Sequence, residues 1–262
     1  MIVNYETMIY EKNDKIGVIT LNRPDKMNTM TPKFLKDFDE LLTIISNDDH
    51  LNVIILKANG KAFCAGGDFE LMRSLDTASK TQQCVRSISN TISKMYKMSK
   101  PIISAVDGYA VGGGANLALS CDFVFASEKA RFGEVFVNIG LIPDTGGLWA
   151  IAKKTGIMRA KELCMTGRMI DASEAKGYGM VLDIIPSEKL YDEVMDFARM
   201  LAEKPPISIG YIKQISNTLD NMTLETYCDL ESAFMGVAIM TEDHKEGLAA
   251  FVEKRNPKFH GR

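Results

Sequence analysis

Two short apolar segments, each followed by a glycine-rich loop, constrain the fold of this chain more than any other feature of its sequence. Residues 53–56 read Val-Ile-Ile-Leu and lead into the loop Lys61–Asp68. The apolar residues 102–106 lead in the same way into Gly108–Asn116. A continuous apolar run of this length is typical of a strand that is covered on both faces. Because helical periodicity separates such strands, the sequence predicts an α/β fold made of strand–helix units.

The remaining periodicities place further elements around these strands. Every second residue from Val3 to Ile9 falls on one face of a predicted first strand. Thr31 and Asp171 each precede a predicted helix and are residue types that commonly act as N-caps. Near residue 144 the strand–helix pattern gives way to helices alone, which indicates a core followed by a helical extension. Further strands are predicted at 16–21 and 122–126, and helices at 32–47, 77–98, 114–120, 145–155, 157–165, 187–203, 206–219 and 224–241, with one more from 172.

Composition and charge exclude several classes of protein. Hydrophobic residues make up 46% of the 262 residues and the net charge is −3, which is typical of a globular protein and gives no electrostatic reason to bind nucleic acid. No apolar run approaches the ~20 residues of a membrane span. No signal peptide is visible, so we predict a cytoplasmic protein with neither a membrane nor a nucleic-acid partner. The five cysteines and three histidines lack metal-ligand spacing, so we predict no metal and expect chemistry from carboxylates and backbone groups.

Both glycine-rich loops stand where a strand ends and a helix begins. Glycine permits close approach of a ligand, and the first turn of a helix presents free N–H groups. Two such loops side by side would direct two backbone N–H groups at one oxygen atom and so form an oxyanion hole. The alternative is turn chemistry and tight helix packing, for which glycine is equally suited. Neither loop has the sequence of a P-loop or the spacing of a dinucleotide-binding fingerprint.

In their order and spacing, these segments resemble the crotonase superfamily, also called the enoyl-CoA hydratase/isomerase family. Members bind acyl-CoA thioesters and stabilise an enolate formed from the thioester carbonyl. The resemblance implies a spiral of ββα turns over residues 1–200 and a C-terminal helical region over 201–262 that forms homotrimers, often paired into hexamers. The similar segments are Leu21–Pro24 with Asn28, Ala65–Asp68, Gly108–Asp122, Arg131–Gly133, Gly140–Gly147, Leu163–Gly167, Ala175–Gly179 and Phe251–Arg255.

The resemblance also implies a set of site residues. The backbone N–H groups of Gly67 and Gly113 would form the oxyanion hole, and coenzyme A would be bound as part of the substrate, with no separate cofactor. The acyl group would lie in a pocket formed by side chains from several segments, namely Met72, Phe136, Leu141 and Trp149. Coenzyme A would be held by Lys26, Ala62, Ala65, Gly66 and Asp68, together with Phe251 and Lys254 from a neighbouring subunit.

Two positions depart from the hydratases of this family. Those enzymes activate water with two glutamates, at positions where this sequence has Asn116 and Phe136. An asparagine side chain forms hydrogen bonds but does not accept a proton at neutral pH, and phenylalanine does neither. The usual machinery for hydration is therefore absent, and Asn116 would orient the acyl group or a water molecule, or only cap and pack.

A carboxylate is present at another position that the family uses. Asp144 stands where several isomerases and a dehalogenase carry their catalytic acid, and its surroundings are similar to those of phenylacetyl-CoA-type isomerases. If apolar side chains surround Asp144, its pKa rises toward a value useful for catalysis. The alternative is that Asp144 caps the helix predicted from 145. Glu134 is a second candidate. It lies two residues before Phe136, and residues two apart in an extended segment share a face. The alternative is that Glu134 is exposed or ion-paired.

The leading hypothesis from the sequence is an enoyl-CoA isomerase that moves a double bond between the β,γ and α,β positions. Asp144 would act as the single acid/base. Hydratase or lyase chemistry through Asp144 or Glu134 is the first alternative. A catalytically silent binder of CoA thioesters, or an RNA-binding relative, is the second; the intact glycines and the retained carboxylate argue against silence, and the net negative charge argues against RNA.

Overall fold

Strands that follow one another along the chain enter two different sheets. The computed structural model describes all 262 residues. The strands are β1 (Ile2–Asn4), β2 (Met8–Asn13), β3 (Ile16–Leu21), β4 (Val53–Ala58), β5 (Ala62–Cys64), β6 (Ile102–Val106), β7 (Tyr109–Val111), β8 (Phe123–Ser127), β9 (Arg131–Gly133), β10 (Met169–Asp171) and β11 (Asp183–Ile185).

Eleven α-helices connect or follow these strands, together with three short 3-10 helices. The α-helices are α1 (Pro32–Ser46), α2 (Phe69–Ser74), α3 (Ala78–Lys97), α4 (Gly113–Leu119), α5 (Gly147–Thr155), α6 (Ile157–Thr166), α7 (Ala172–Gly177), α8 (Leu190–Ala202), α9 (Pro206–Ser216), α10 (Leu224–Ala238) and α11 (Glu242–Glu253). The 3-10 helices span Pro24–Lys26, Val135–Ile139 and Leu219–Asn221.

The sheet topology produces a spiral of ββα turns, as predicted. One sheet has the order β1-β2-β3-β4-β6-β8-β11, and the other has the order β10-β9-β7-β5. From β3 onward the neighbours in the first sheet are parallel, as are β5, β7 and β9 in the second. From β4 to β9 each turn of the chain therefore adds one strand to each sheet and then continues into a helix, which brings the loops after β5 and β7 to the same edge.

Both faces of the seven-stranded sheet are covered. Along β4, Ile54 and Leu56 enter the main core of 39 buried residues, whereas Val53 and Ile55 pack in a second cluster with Val194 of α8. Side chains alternate across a strand, so a strand buried on both faces needs apolar residues at every position. This packing explains the uninterrupted apolar run that the sequence shows at β4.

The N-terminal strand predicted over Val3–Ile9 is wrong as a single element. The chain turns after β1, where the Tyr5 N–H donates to the Met8 carbonyl at 2.9 Å, and β2 returns antiparallel to β1. The predicted N-caps are confirmed, because the Thr31 hydroxyl and the Asp171 carboxylate accept from backbone N–H groups of α1 and α7. Alternation alone does not reveal the turn, because the apolar–polar pattern continues through it.

The prediction of helices alone after residue 144 is wrong, because β10 and β11 lie there. From α8 onward the chain is helical, and it contains one more helix than the sequence indicates. Helix α11 follows α10 after a short break, and the Thr241 hydroxyl caps it by accepting from the N–H of His244 at 3.1 Å. The boundary predicted after residue 200 falls in the last turn of α8, and the division into two regions stays a prediction. None of the helices is long and apolar enough to cross a lipid bilayer.

Replacing Gly114 by alanine should destabilise the fold strongly. A Cβ at Gly114 would overlap the Cys64 carbonyl, a backbone group of β5 that cannot move aside alone. We expect the free energy of unfolding to fall by about 3 kcal/mol, the upper range for overpacking of a core. Gly177→Ala is the matched control, since Gly177 also lies in a helix but has open space around it. Urea denaturation at fixed protein concentration measures both; equal stability of the two variants would contradict the expectation.

Candidate active site

The two glycine-rich loops meet at Met30, whose backbone bonds the first loop and whose side chain contacts the second. Met30 donates its N–H to the Gly66 carbonyl at 2.8 Å and accepts from the Asp68 N–H at 3.0 Å. Gly67 lies between these two bonds, so its own N–H faces away from Met30 and has no backbone acceptor within the chain. The Met30 sulfur also lies 3.5 Å from the position that a Cβ of Gly113 would take. One residue therefore connects both glycines predicted for the oxyanion hole.

Gly113 presents a second free N–H on the neighbouring loop. It is the first residue of α4, and the first N–H groups of a helix have no partner inside the helix. A Cβ on Gly66 would lie 3.6 Å from the Gly113 nitrogen, so the end of one loop touches the start of the other. The structure thus places two N–H donors without backbone acceptors, from Gly67 and Gly113, on adjoining loops. Such a pair can hold an oxygen that develops negative charge.

Other glycines in the loops serve packing and turns, which was the alternative interpretation. Gly66 and Gly112 have φ angles of 91° and 54°, a region that residues with a Cβ rarely adopt. Gly114 lets α4 approach the Cys64 carbonyl of β5. The alternative interpretation therefore holds for these glycines, and the oxyanion hole at Gly67 and Gly113 stays a prediction.

Asp144 does not cap a helix, so that alternative is wrong. Helix α5 begins at Gly147, its N-cap is Gly146, and no side chain caps it. Thr145 and Gly146 have φ angles of 55° and 75°, so neither residue can belong to the right-handed helix that the sequence predicts from 145. The Asp144 carboxylate is consequently free of the helix that follows it.

The backbone of Asp144 is held on two sides. Its carbonyl accepts from the Gly147 N–H at 2.8 Å and from the Asn116 side-chain nitrogen at 2.9 Å. Asn116 is completely buried in α4, and a Cβ on Gly147 would overlap its amide group. Asn116 therefore packs between α4 and α5 and fixes the loop that carries Asp144. Of the roles predicted for Asn116, packing is the one that the contacts bear out.

The Asp144 carboxylate is half-buried and close to helix α3. Burial raises the pKa of its carboxyl group, and a hydrogen bond from the Thr145 hydroxyl to Oδ1 at 2.6 Å opposes this rise. The other oxygen, Oδ2, accepts no hydrogen bond from another side chain, and a hydrogen bond from the backbone N–H of Asp144 itself also opposes the rise in the pKa. Cys84 of α3 lies near enough that the Asp144 charge adds to burial in raising the pKa of its thiol. The first half of α3 therefore passes beside the carboxylate.

Glu134 is buried and has no hydrogen-bond partner. It is 3% exposed, and neither carboxyl oxygen meets a donor. Burial, helped by the charge of Asp144, raises the pKa of Glu134 to about 8, so the side chain is neutral at pH 7. The expectation of an exposed or ion-paired Glu134 is wrong, as is the extended geometry, because residues 135–139 form a 3-10 helix. The side chain lies instead beside a small cavity lined by core residues such as Leu163 and by Arg168, whose guanidinium pairs with other glutamates.

The residues predicted for the acyl pocket lie in different surroundings. The Phe136 ring is 3.5 Å from the position that a Cβ of Gly112 would take, which puts it beside the start of α4. Leu141 donates its N–H to the Phe136 carbonyl at 3.0 Å and is about half exposed, and Met72 is half-buried in α2. Trp149 packs edge-on against Tyr96 with ring centres 5.1 Å apart. The assignment of these four residues to one pocket stays a prediction.

The residues predicted to hold coenzyme A fall into two groups. Lys26 is exposed, without an ion pair, at the end of a 3-10 helix, and Phe251 and Lys254 are exposed at the end of α11. The others make hydrogen bonds within the fold. The Ala62 carbonyl accepts from Asn28 at 2.8 Å, and the Ala65 N–H donates to the Met27 carbonyl at 3.0 Å. The Gly66 carbonyl accepts from Met30, and Asp68 caps α2. Their role in binding stays a prediction.

The sequence does not identify three residues that surround the site. Met30 joins the two loops, Cys84 approaches Asp144 from α3, and Thr145 holds the Asp144 carboxylate. Met30 and Cys84 come into place only through contacts between segments distant in sequence. Thr145 follows the candidate base directly, but a threonine in the sequence does not indicate a left-handed φ.

Comparison with known proteins shows similarity along almost the whole chain. The pattern of the enoyl-CoA hydratase/isomerase family matches residues 11–262. The chain is 35% identical to the 1,2-epoxyphenylacetyl-CoA isomerase of Escherichia coli K12, over 94% of this chain and 95% of that protein. It is 36% identical to the mitochondrial enoyl-CoA hydratase of Pongo abelii, over 98% of this chain and 88% of that protein. The crystal structure of an enoyl-CoA hydratase from Bacillus anthracis has a TM-score of 0.93 and 33% identity, over 98% of this chain and 100% of that one.

Glu134 should make the fold less stable as the pH rises. Its pKa in the folded protein, about 8, lies above the 4.5 of a free glutamate, so the folded state holds the proton more tightly. Between these values the stability falls with rising pH, by at most about 1.4 kcal/mol per pH unit. We expect Glu134→Gln to remove this slope and to be more stable than the wild type by about 2 kcal/mol near neutral pH. Urea denaturation at about pH 5.5 and about pH 7.5 tests it; parallel pH dependence in both proteins would contradict it.

Proposed function

The chain belongs to the enoyl-CoA hydratase/isomerase family, and from this premise we propose that it is an enoyl-CoA isomerase. Its substrate would be a β,γ-unsaturated acyl-CoA thioester and its product the α,β-unsaturated one. The observation that carries the proposal is the Asp144 carboxylate, free of helix capping, beside a loop pair that offers two N–H donors. A double-bond shift needs these groups and no activated water.

In the proposed reaction, Asp144 moves one proton between two carbons. Its Oδ2 removes a proton from the α carbon, and the electron pair passes into the thioester carbonyl to give a dienolate. The negative oxygen accepts hydrogen bonds from the N–H groups of Gly67 and Gly113, which lowers the barrier to its formation. Protonated Asp144 then returns the proton to the γ carbon, and the double bond comes to lie between the α and β carbons. The base is regenerated, and no atom is gained or lost.

The environment of Asp144 suits this role. A base that must also give the proton back works best when its pKa is closer to neutrality than that of a free aspartate. Burial moves the pKa of Asp144 in this direction. Asn116, which stands where the hydratases carry a glutamate, supports the base by holding its backbone carbonyl. Phe136, at the other glutamate position, brings only an aromatic ring to the start of α4.

Binding of coenzyme A would involve more than one subunit. We propose that Lys26 meets the phosphates of the nucleotide, since it is exposed and unpaired near the Ala62–Asp68 loop. Phe251, 82% exposed, and Lys254 would reach the coenzyme of a neighbouring subunit. Helix α10 buries none of its residues within the chain, which supports a trimer, or a hexamer made of two trimers, assembled through the C-terminal helices.

Hydratase or lyase chemistry is a second candidate. It is favoured by the names of similar proteins, which include a mitochondrial enoyl-CoA hydratase, and by the neutral carboxyl group of Glu134, a proton donor electrostatically linked to Asp144. Against it, Glu134 is enclosed by core side chains. Incorporation of solvent oxygen into the product distinguishes this candidate from an isomerase.

Substitution of Asp144 should abolish isomerisation without unfolding the protein. Asp144→Asn keeps the shape of the side chain but removes the base, and loss of a general base costs about 10²–10⁴-fold in rate. The measurement is conversion of a 3-enoyl-CoA to the conjugated thioester in heavy-oxygen water, followed by mass spectrometry. Crotonyl-CoA is tested in parallel.

The outcomes of this assay separate the candidates. Formation of the conjugated product without heavy oxygen, lost in Asp144→Asn, supports the isomerase. If crotonyl-CoA takes up heavy oxygen from the water, and still does so with Asp144→Asn, the isomerase is contradicted. That result indicates a hydratase that uses another group. Glu134→Gln serves as the matched control, because it replaces a nearby carboxyl group that the proposed reaction does not use.

The proposed base also sets the pH dependence of the reaction. Asp144 must be ionised to accept a proton, so kcat/KM should be constant at higher pH and fall as the pH drops through the Asp144 pKa. Because burial raises the pKa of Asp144, this fall should begin above the pH range of an ordinary aspartate. A profile that stays flat down to the pH where free aspartate titrates would contradict the assignment.

A further inference from the structure

We propose that Thr145 is a positioning residue, whose strained backbone and hydroxyl group direct the Asp144 carboxylate at the substrate; this inference rests on the proposed function. Thr145 follows the base in sequence and is 3% exposed. None of the proposed contacts with the reacting carbons or with coenzyme A involves Thr145. Its effect would be transmitted through Asp144 alone.

The backbone of Thr145 is in an unfavourable conformation. Its φ of 55° lies in the left-handed region, where a β-branched residue is a genuine outlier. Strain of this kind costs of order 1–3 kcal/mol and persists only where the surrounding structure enforces it. The next residue, Gly146, is also left-handed but has no Cβ, so two consecutive residues reverse the chain before α5. A glycine at 145 would adopt this turn without strain, and the threonine is therefore present at a cost.

What the threonine adds is a hydroxyl group directed at the base. Its Oγ1 donates to Asp144 Oδ1 at 2.6 Å, a short hydrogen bond to a carboxylate. Because Oδ1 is engaged in this way, the carboxylate cannot rotate freely, and Oδ2, which accepts no hydrogen bond from another side chain, is the oxygen left for a substrate proton. The hydrogen bond also favours the ionised form of Asp144 and so limits the rise in its pKa that burial causes.

Thr145 also lies beside the candidate oxyanion hole. Its Oγ1 is 3.8 Å from the position that a Cβ of Gly113 would take. The hydroxyl therefore bonds the base and also lies next to Gly113, so it fixes the carboxylate relative to the candidate oxyanion hole. Such placement matters because small displacements of a catalytic group reduce rates steeply.

The titratable groups around Asp144 do not change their charge in the pH range in which Asp144 titrates. Cys84 approaches from α3, with burial and the Asp144 charge raising the pKa of its thiol. Glu134 approaches from the segment before the 3-10 helix, with its pKa raised to about 8. Both are neutral over the acidic range in which Asp144 titrates, so a change at acidic pH reports on Asp144.

Three substitutions of Thr145 test the inference. Thr145→Val keeps the β-branched shape and the strain but removes the hydroxyl; Thr145→Ser keeps the hydroxyl; Thr145→Gly removes both the hydroxyl and the strain. We expect kcat of the valine variant to fall about tenfold, the effect of one hydrogen bond to a charged group, with KM nearly unchanged. Its acid limb in the kcat/KM profile should move to higher pH, because Asp144 loses a bond that stabilises its ionised form.

The serine and glycine variants separate function from stability. Thr145→Ser should restore the pH profile and most of the rate. Thr145→Gly should be at least as stable as the wild type in urea denaturation yet as slow as the valine variant. If the valine variant only loses stability, with the rate of the remaining folded protein and its pH profile unchanged, Thr145 is structural and the inference is overturned.

A readout independent of activity distinguishes failure of this inference from failure of the proposed function. The titration of the Asp144 carboxyl can be followed by carbon NMR on protein labelled at aspartate, and assigned through the signal lost in Asp144→Asn. An Asp144 titration that is the same in Thr145→Val as in the wild type overturns the role of Thr145, whatever the enzyme catalyses. A shifted titration in a protein that does not isomerise 3-enoyl-CoA supports the contact and refutes the isomerase.

Discussion

The close approach of backbone to backbone at Gly114 is the constraint on which the rest of the site depends. Helix α4 can reach the Cys64 carbonyl of β5 only because this residue has no Cβ. That contact brings the first turn of α4 against the loop after β5, which Met30 holds in place through two backbone hydrogen bonds. Without it the N–H groups of Gly67 and Gly113 would not lie on adjoining loops. The spiral of ββα turns places the two loops side by side, and the missing Cβ of Gly114 lets α4 approach β5 closely.

Three unfavourable features of the structure lie near Asp144. Thr145 has a strained φ, one oxygen of Asn116 is buried without a partner, and the Glu134 carboxyl is buried with neither oxygen bonded. Buried polar groups without partners cost free energy, and native proteins contain few of them. Their clustering beside a half-buried carboxylate is typical of a site where stability has been given up for chemistry. The rest of the chain has well-paired helices and sheets to offset the cost.

Most of the fold was accessible from the sequence, whereas the details of the site were not. The buried strands and long helices show clear periodicity, and the resemblance of ordered motifs predicts the spiral of ββα turns. Strands of three residues, such as β9, escape prediction because they are too short to show a period. The freedom of the Asp144 carboxylate from helix capping depends on the φ angles of Thr145 and Gly146, and a threonine gives no local signal for a left-handed backbone. The burial of Glu134 follows from packing between segments distant in sequence, which no local pattern records.

The packing of Asn116 has a consequence for how this protein can change in evolution. Its amide fills the space beside Gly147 and holds the carbonyl of Asp144. A glutamate here, as in hydratases of the family, would add a methylene group where there is no room and would remove the donor that fixes the loop. The change to glutamate therefore passes through an intermediate that loses the arrangement of Asp144 before any water-activating pair exists. A glutamate at this position therefore requires coordinated substitutions around it, and a single mutation disturbs the loop that carries Asp144.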